Sequence, residues 1–415
     1  MTDIRRTLLW VVFTMSLVLL WDAWNKHTGQ PSIFGGAPPR PAATAPAPEG
    51  GAASAPGVPA PAATSPGATT AATPAPAGAL PAGTTAATSE RVDVTTDLMK
   101  ATFDTKGGDL VRLELLAHRD QVDPSRNVVL FDQSSQRVYL AQTGLISARA
   151  GAALPNHLTP MTLVSGEREL AAGRDKLELR FETADVGGSQ LVKTYTLERG
   201  KYTLGVRHEL VNTSAAAIEP QLYLQLVRDG NKPSGESMFY STFTGPAVYT
   251  DAKKYQKVEF SDIEKGKIDI EKTSTNGYVA MVQHYFASAW LLADGAQRDL
   301  FMRKVDTNLY SVGMITPLGE IAPGQSKAVD ARLFAGPQIE TLLEKLAPGL
   351  ELVKDYGWLT ILAKPLYWLL DQLHKVLGNW GWSIVALVFL LKIAFYWLNA
   401  KAYASMAKMK AINPR

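Results

Sequence analysis

An apolar run close to the end of the chain constrains the fold more than any other sequence feature. Residues 382–399 carry a single formal charge, on Lys392. A helix of this length nearly crosses a hydrocarbon core of about 30 Å, because each helical residue advances about 1.5 Å. Aromatic side chains, which favour the headgroup level of a bilayer, lie at both ends of the run. The sequence therefore predicts a transmembrane helix over 380–400.

Lys392 lies near the middle of this predicted span, where a charged side chain is unfavourable by roughly 2.5 to 3.5 kcal/mol. We therefore expect it to face a polar cavity or a partner rather than lipid. In the alternative, the lysine snorkels and places its amine at the cytoplasmic interface. The cavity interpretation is favoured because the nearest interface is about two helical turns away.

The charges that follow the span indicate its orientation. Lys401, Lys408 and Lys410 follow it with no acidic residue among them. Because cytoplasmic flanks carry an excess of Lys and Arg, this end is predicted to be cytoplasmic. Residues 401–415 are expected to be the start of a cytoplasmic region that continues in a longer chain.

A second apolar run lies near the start of the chain, at 7–24. Arg5 and Arg6 precede it, which predicts a cytoplasmic N-terminus over 1–6 and an exported sequence after the run. The same layout suits a secretory signal peptide. Bulky residues, however, occupy the place where a small-residue cleavage site would lie, so the run is predicted to remain as a transmembrane anchor.

Composition and periodicity separate a linker from a folded domain between the two spans. Residues 25–90 are rich in Ala, Pro, Gly and Thr, and they are predicted to form a disordered tether because they contain few large apolar side chains. Residues 91–347 instead alternate apolar and polar side chains between turns, as at Leu177, Leu179 and Phe181. So many strands with few helical stretches predict one large antiparallel β-sandwich.

Two helical segments are predicted after the strands. Residues 337–346 are predicted to form a short helix that closes the sandwich. After a connector at 348–360, residues 361–377 are predicted to form an amphipathic helix that rests in the outer membrane interface. The alternative is a helix packed under the β domain. The apolar face of the amphipathic helix consists of leucines three or four residues apart: Leu366, Leu369, Leu370, Leu373 and Leu377.

Composition and motifs argue against most kinds of chemistry. The absence of cysteine excludes disulfides, thiolate metal sites and cysteine nucleophiles. A net charge of +3 without a basic stripe argues against nucleic acid as a partner. The histidines show no metal-ligand spacing, and no nucleotide-binding or hydrolase motif occurs, so no catalytic residue, metal or cofactor is predicted.

Several motifs, taken in order, make the chain similar to a known family. They are LLWDAW near the start, TKGGDL, FTGPAVYTDAKKYQK and NGYVAMVQHYFASAW in the β-rich part, and DYGWLT, GNWGWSI and KAYASMAKMK near the end. With these motifs the chain resembles the N-terminal part of a bacterial YidC-type membrane protein insertase. The resemblance covers nearly the whole chain apart from the tether.

The resemblance implies an integral protein of the bacterial inner membrane. The expected fold is a large periplasmic β-supersandwich flanked by N-terminal and C-terminal transmembrane helices, with an interfacial amphipathic helix before the second span. Nascent membrane proteins and the lipid bilayer are the implied partners, together with the Sec translocon and the ribosome. The implied function is the insertion and folding of nascent membrane proteins without an enzymatic step.

The resemblance also assigns a role to the charge in the span. In the family, five core helices enclose a hydrophilic groove that carries a positive residue, usually Arg, and the matching position here is Lys392. A lysine differs from arginine because its compact ammonium can lose a proton when it is desolvated.

Two alternative functions remain open. One is a periplasmic binding or scaffold module that two anchors hold against the secretion machinery, and this function needs no groove. The other is a sugar-active sandwich enzyme in which His208 or His284 pairs with a distant glutamate. The enzyme hypothesis is the least supported, because it rests on fold analogy alone.

Overall fold

The structure is a computed structural model of the 415-residue chain. It describes residues 89–147, 153–233, 242–354, 356, 360–396, 400–401 and 403–406. Several predicted features lie outside the described residues. They are the N-terminal anchor with Arg5 and Arg6, almost all of the tether, and the basic residues Lys408 and Lys410.

Two nine-stranded sheets are formed by the described residues, and neighbouring strands run antiparallel. The first sheet contains, in spatial order, β1 (Arg91–Thr95), β2 (Met99–Asp104), β3 (Asp109–Arg119), β4 (Asn127–Gln133), β5 (Val138–Ser147), β10 (Pro220–Asp229), β17 (Leu309–Pro317), β16 (Arg298–Asp306) and β13 (Thr273–Ser274). The second contains β12 (Lys254–Lys257), β11 (Gly245–Thr250), β14 (Tyr278–Gln283), β15 (Phe286–Leu292), β18 (Ser326–Pro337), β9 (Thr203–Asn212), β8 (Ser189–Glu198), β7 (Lys176–Thr183) and β6 (Met161–Gly166).

The apolar faces of the two sheets share one core. On β7, Leu177, Leu179 and Phe181 are at most 1% exposed, whereas the intervening Glu178 and Arg180 are exposed, as a period of two requires. The same apolar cluster contains side chains of both sheets. The prediction of one large β-sandwich is confirmed.

A buried ion pair joins the two sheets. Lys193 on β8 is 0% exposed, and its Nζ lies 3.2 Å from Oδ1 of Asp109 on β3. The ammonium also donates to the carbonyl oxygens of Gly107, at 2.6 Å, and Thr143, at 2.8 Å. Burial raises the pKa of Asp109, and the charge of Lys193 opposes that rise. The three acceptors satisfy the three N–H groups of the ammonium, which is what allows it to be buried.

Replacing Lys193 by Met should destabilise the domain by about 3 to 5 kcal/mol, because the Asp109 carboxylate would lose its buried counter-ion. Lys176→Met on the neighbouring strand is the matched control, since Lys176 pairs with Glu178 on the protein surface. Denaturant unfolding measures both variants. Equal stability of the two variants would show that the buried pair has no special role.

His208 on β9 is a core residue rather than a site residue. Its side chain is 3% exposed, and its Nε2 lies 2.9 Å from the hydroxyl of Thr143. Burial, assisted by the nearby charge of Lys193, lowers the pKa of His208 from 6.5 to about 3. The imidazole is therefore neutral in the folded protein at physiological pH and lies away from any surface that a sugar could reach.

Acidification should destabilise the domain through His208. Between pH 6.5 and about 3 the unfolded histidine binds a proton and the folded one does not, so this contribution to stability is lost as the pH falls through that window. His208→Gln keeps a polar group near Thr143 and removes the titration. We expect its free energy of unfolding to fall less than that of the natural chain between pH 7 and pH 4. If the free energies of unfolding of the two proteins fall by the same amount between pH 7 and pH 4, this role of His208 is contradicted.

Five helices have defined bounds among the described residues, and 400–401 and 403–406 are helical as well. The five are α1 (Phe260–Glu264), α2 (Glu340–Leu346), a 3-10 helix (Leu350–Val353), α3 (Thr360–Leu377) and α4 (Trp380–Ala394). The helix predicted over 337–346 begins only at Glu340, because Pro337 still belongs to β18 and lies opposite Phe286 of β15. Leu343 of α2 packs into a second apolar cluster beside the second sheet.

The helix α4 overlaps the span predicted over 380–400. It has fifteen residues and ends at Ala394, and residues 397–399 lie outside the described part of the chain. Within the described part, no helix is both long enough and apolar enough to cross a membrane.

Candidate functional site

A corner at Gly378 and Asn379 separates α3 from α4, between the helix predicted over 361–377 and the span predicted over 380–400. Gly378 adopts a φ of +64°, and its N–H donates to the carbonyl oxygen of His374 at 2.8 Å. This left-handed ending suits glycine, which has no Cβ to clash. The Asn379 side chain then caps α4 by accepting a hydrogen bond from the backbone N–H of Trp382 at 3.2 Å. Each helix thus has its own terminal hydrogen bonds.

An aromatic stack holds the corner. The rings of His374 and Trp380 lie 3.8 Å apart between centroids with an angle of 8° between their planes. On the inner side, Ser383 is 0% exposed and its hydroxyl donates to the carbonyl oxygen of Asn379 at 2.7 Å. These contacts join the end of α3 to the first turn of α4.

The leucine face predicted on α3 is half-buried at four positions, and Leu377 at its end is 46% exposed. Other apolar side chains of the helix are more exposed than the leucines. Ile361 is 86%, Trp368 63% and Val376 83% exposed. Large exposed apolar side chains in such density are typical of a surface that meets lipid or another protein.

One carboxylate joins α3 to the β domain. Glu340, at the start of α2, accepts a hydrogen bond from the Tyr356 hydroxyl at 2.8 Å and lies 3.3 Å from the Lys364 ammonium of α3. The Lys354 ammonium is 4.0 Å from the same carboxylate and 3.7 Å from the centre of the Tyr367 ring. We call Glu340, Lys354, Tyr356, Lys364 and Tyr367 the Glu340 cluster. It restricts the angle at which α3 leaves the sandwich.

Glu340→Gln should loosen α3, because an amide cannot replace the ion pair with Lys364. A loss of about 1.5 kcal/mol would speed amide hydrogen exchange in 360–377 roughly tenfold. Glu344→Gln is the control, since Glu344 is an exposed residue of the same helix α2. Hydrogen exchange with mass spectrometry on the full chain measures the effect, and equal exchange in the two variants would contradict the role given to Glu340.

Lys392 lies in the last turn of α4 and is exposed. It forms no ion pair or hydrogen bond with any residue that the structure describes. Ser383 is buried and Leu387 and Leu391 are half-buried, but the other large apolar side chains of the helix are exposed: Trp380, Trp382, Ile384, Val385, Val388, Phe389, Leu390 and Ile393. An amphipathic surface helix would have a polar face, and α4 has none apart from this lysine.

The remaining predicted residues are not gathered into one site. Lys401 is exposed in the short helical stretch at 400–401. His284 lies at the β14–β15 turn with its Nδ1 2.7 Å from the Thr242 hydroxyl, far in sequence from the helical corner. In the part of the chain that the structure describes, no group of three or more His, Asp or Glu residues is placed to hold a metal ion.

Comparisons with known proteins identify the family. The model of the YidC periplasmic domain matches residues 91–369, and the model of the 60Kd inner membrane protein family matches residues 372–415.

The chain belongs to the YidC family of membrane protein insertases.

A membrane protein insertase YidC of Janthinobacterium sp. (strain Marseille) is 51% identical over 413 residues, which cover 100% of this chain and 71% of the relative. The YidC of Bordetella pertussis (strain Tohama I) is 50% identical over 413 residues and is covered to 72%. Among solved structures, a putative aldose 1-epimerase from Escherichia coli K12 is similar with 9% identity and a TM-score of 0.38, over 60% of this chain and 99% of the epimerase.

The predicted family, the insertase function and the inner-membrane location with a periplasmic β domain are therefore confirmed. The substrates are nascent membrane proteins. The insertase is not an enzyme, so the sugar-active hypothesis is set aside.

Two parts of the molecule were missed by the sequence reasoning. The Glu340 cluster joins residues of α2, of α3 and of the connector before α3, and only the aromatic and charged composition of 354–367 could have indicated it. The buried position of Lys193 had a clearer signal, because the lysine shares the alternation of Leu191, Tyr195 and Leu197.

Proposed function

We propose that residues 380–400 cross the inner membrane and that Lys392 lies in a hydrophilic groove open to the cytoplasm. The observation that carries the proposal is a single cation on a helix whose other large side chains are all apolar and mostly exposed. A lone ammonium is stable at such depth only where water or a polar partner reaches it. A groove enclosed by further helices supplies that environment.

In this proposal the lysine has an electrostatic role. Its charge keeps the groove hydrated and attracts acidic residues in the short exported tail of a substrate. The apolar segment of the substrate then leaves the groove for lipid, which is favourable by about 25 cal/mol per Å² of apolar surface removed from water. Insertion needs no nucleotide in this scheme, because burial of the substrate supplies the driving force.

The exposed apolar side chains of α3 support an interfacial position for this helix on the periplasmic side. Ile361, Trp368 and Val376 would lie in the headgroup region, and the Asp371–Lys375 ion pair, at 2.7 Å, would meet the polar headgroups beside them. The N-terminus with Arg5 and Arg6, and the tail with Lys401, Lys408 and Lys410, would both be cytoplasmic. The ribosome and the Sec translocon are the proposed partners in delivering substrates.

Replacing Lys392 by Ala, Leu or Glu tests the groove in cells depleted of their own insertase and complemented with the full-length protein. We expect insertion of substrates with acidic exported tails to fall at least tenfold for Lys392→Glu, because the charge in the groove is inverted. Lys375→Ala, which removes an exposed positive charge from α3, is the control. Normal insertion of every substrate by all three Lys392 variants would contradict the groove proposal and would favour a scaffold function.

Solvent access to position 392 gives a second and independent measurement. Residues 1–415 contain no cysteine, so Lys392→Cys adds a single thiol to this part of the protein. We expect a membrane-impermeant maleimide to label it in sealed inverted vesicles, which expose the cytoplasmic side. Phe389→Cys, one turn away on the same helix, is the control for a lipid-facing position. No labelling at 392 would place the lysine away from water.

A further inference from the structure

A small apolar rim lies on the β domain next to the start of α2. Tyr285, at the β14–β15 turn, is 51% exposed, and Ile339, just before α2, is 43% exposed. The two lie close together because strand pairing continues past Phe286 and Pro337, so that the Gln338 N–H donates to the Tyr285 carbonyl oxygen at 2.9 Å. We call Tyr285 and Ile339 the Tyr285 rim.

Three carbonyl groups at this turn are hydrogen-bonded within the protein. The Tyr285 carbonyl accepts from the Gln338 backbone, and the Gln338 side-chain amide donates to the carbonyl oxygens of Gln283 and Phe286, each at 3.1 Å. Backbone groups that are paired in this way lose no hydrogen bond when an apolar medium replaces water. The turn can therefore approach lipid without exposing these carbonyls to it unpaired.

The Tyr285 ring rests against a neighbouring histidine. The ring centres of His284 and Tyr285 lie 3.8 Å apart with 70° between the planes, and Nδ1 of His284 lies 2.7 Å from the Thr242 hydroxyl. A ring held in this way loses little conformational freedom when it is covered. Tyrosine also combines an apolar ring with a polar hydroxyl, which is the composition favoured where lipid meets water.

The rim is connected to the first turn of α3. Ile339 directly precedes Glu340, whose carboxylate lies 3.3 Å from the Lys364 ammonium. Ile361 lies three residues before Lys364, and therefore on the same side of α3, and it is 86% exposed. Leu362 beside it is 63% exposed. One ion pair thus links the apolar side chains of the rim to those of the first turn of α3.

Lipid suits these side chains better than a second protein does. A stable protein interface takes about 800 Å² and about 20 to 30 residues on each side. The rim and the first turn of α3 together present four large exposed apolar side chains, which is far less. Contact with lipid has no such minimum, because each apolar group is stabilised on its own. The match to the inner membrane protein family also begins within α3, at residue 372.

We propose that the Tyr285 rim contacts the periplasmic surface of the inner membrane beside the first turn of α3. The Tyr285 ring and the Ile339 side chain lie among the lipid headgroups. The contact determines which side of the sandwich faces the bilayer. This inference rests on the interfacial position proposed for α3, and it adds a contact that the β domain makes itself.

Labelled variants of the full chain in nanodiscs of phosphatidylcholine test the rim. Residues 1–415 contain no cysteine, so Tyr285→Cys and Ile339→Cys each carry one thiol for an environment-sensitive dye. Interfacial side chains lie about 5 to 10 Å deep, so a lipid with a nitroxide at the headgroup should reduce the emission of both dyes by about half or more. Unchanged emission at both positions would overturn the proposal.

Val164→Cys is the matched control. Val164 is an exposed apolar residue of the β domain, at 55%, and it lies on β6. The strands β18, β9, β8 and β7 separate β6 from β15 in the second sheet, which is a distance of about 24 Å at about 4.8 Å per strand. The nitroxide lipid should leave the emission at position 164 unchanged. Equal quenching at 164 and 285 would show general contact with lipid and would overturn the rim.

Val376→Cys separates the rim from the position of α3. Val376 is 83% exposed on α3, so a dye there reports whether this helix lies at the interface. Quenching at 376 without quenching at 285 and 339 would overturn the rim and leave the position of α3 intact. Quenching at 285 and 339 without quenching at 376 would support the rim and contradict the position given to α3.

Lipid charge distinguishes an apolar contact from an electrostatic one. We expect equal quenching at 285 and 339 in discs of phosphatidylcholine and of anionic phosphatidylglycerol, and no change as salt is added, because apolar contact is not screened. Quenching that requires phosphatidylglycerol and disappears with salt would assign the contact to lysines and arginines of the surface. That result would overturn an apolar rim.

A phospholipid with a photoreactive diazirine near its headgroup tests the natural chain without substitution. After illumination, mass spectrometry should find lipid attached to 283–286 and 337–340, and the control segment 161–166 on β6 should carry none. Crosslinks between the rims of two copies, in place of crosslinks to lipid, would assign the rim to self-association and would overturn the proposal.

Discussion

The contact between the apolar faces of two nine-stranded sheets is the constraint on which the rest of the described structure depends. Side chains from both sheets form one apolar cluster, and Lys193 with Asp109 adds a polar link through the same interior. Two large sheets that share a dense core resist bending, because interiors of this kind are close-packed. The helices are attached to the periphery of this body, so their positions are set by it.

The periodic parts of the fold could be predicted from the sequence. Alternation at Leu177, Leu179 and Phe181 placed β7 with the correct face inward. The same period runs through Lys193, but its burial was not predicted, because a lysine is ordinarily expected at the surface. The corner at Gly378 and Asn379 could be predicted as well, because capping chemistry is local in sequence. The closing helix was misplaced at its start, because Pro337 suits a helix N-terminus as well as the end of a strand.

The order of the strands in the sheets and the long-range side-chain contacts could not be predicted from local patterns. The strand β10 pairs with β5 and β17, and nothing in the local pattern of these segments selects those neighbours. Arg137 meets the β14–β15 turn across 146 residues of sequence. Side-chain chemistry shows that an arginine needs a partner, but only the folded topology shows which residues lie within its reach.

The corner between α3 and α4 also bears on the order of events during synthesis. Its hydrogen bonds and its ring stack join residues that are at most six positions apart, from His374 to Trp380. Contacts of such short range close within microseconds, whereas translation adds only about 5 to 20 residues per second. The bend can therefore form as soon as this stretch leaves the ribosome. The angle between α3 and α4 can thus be set while synthesis continues.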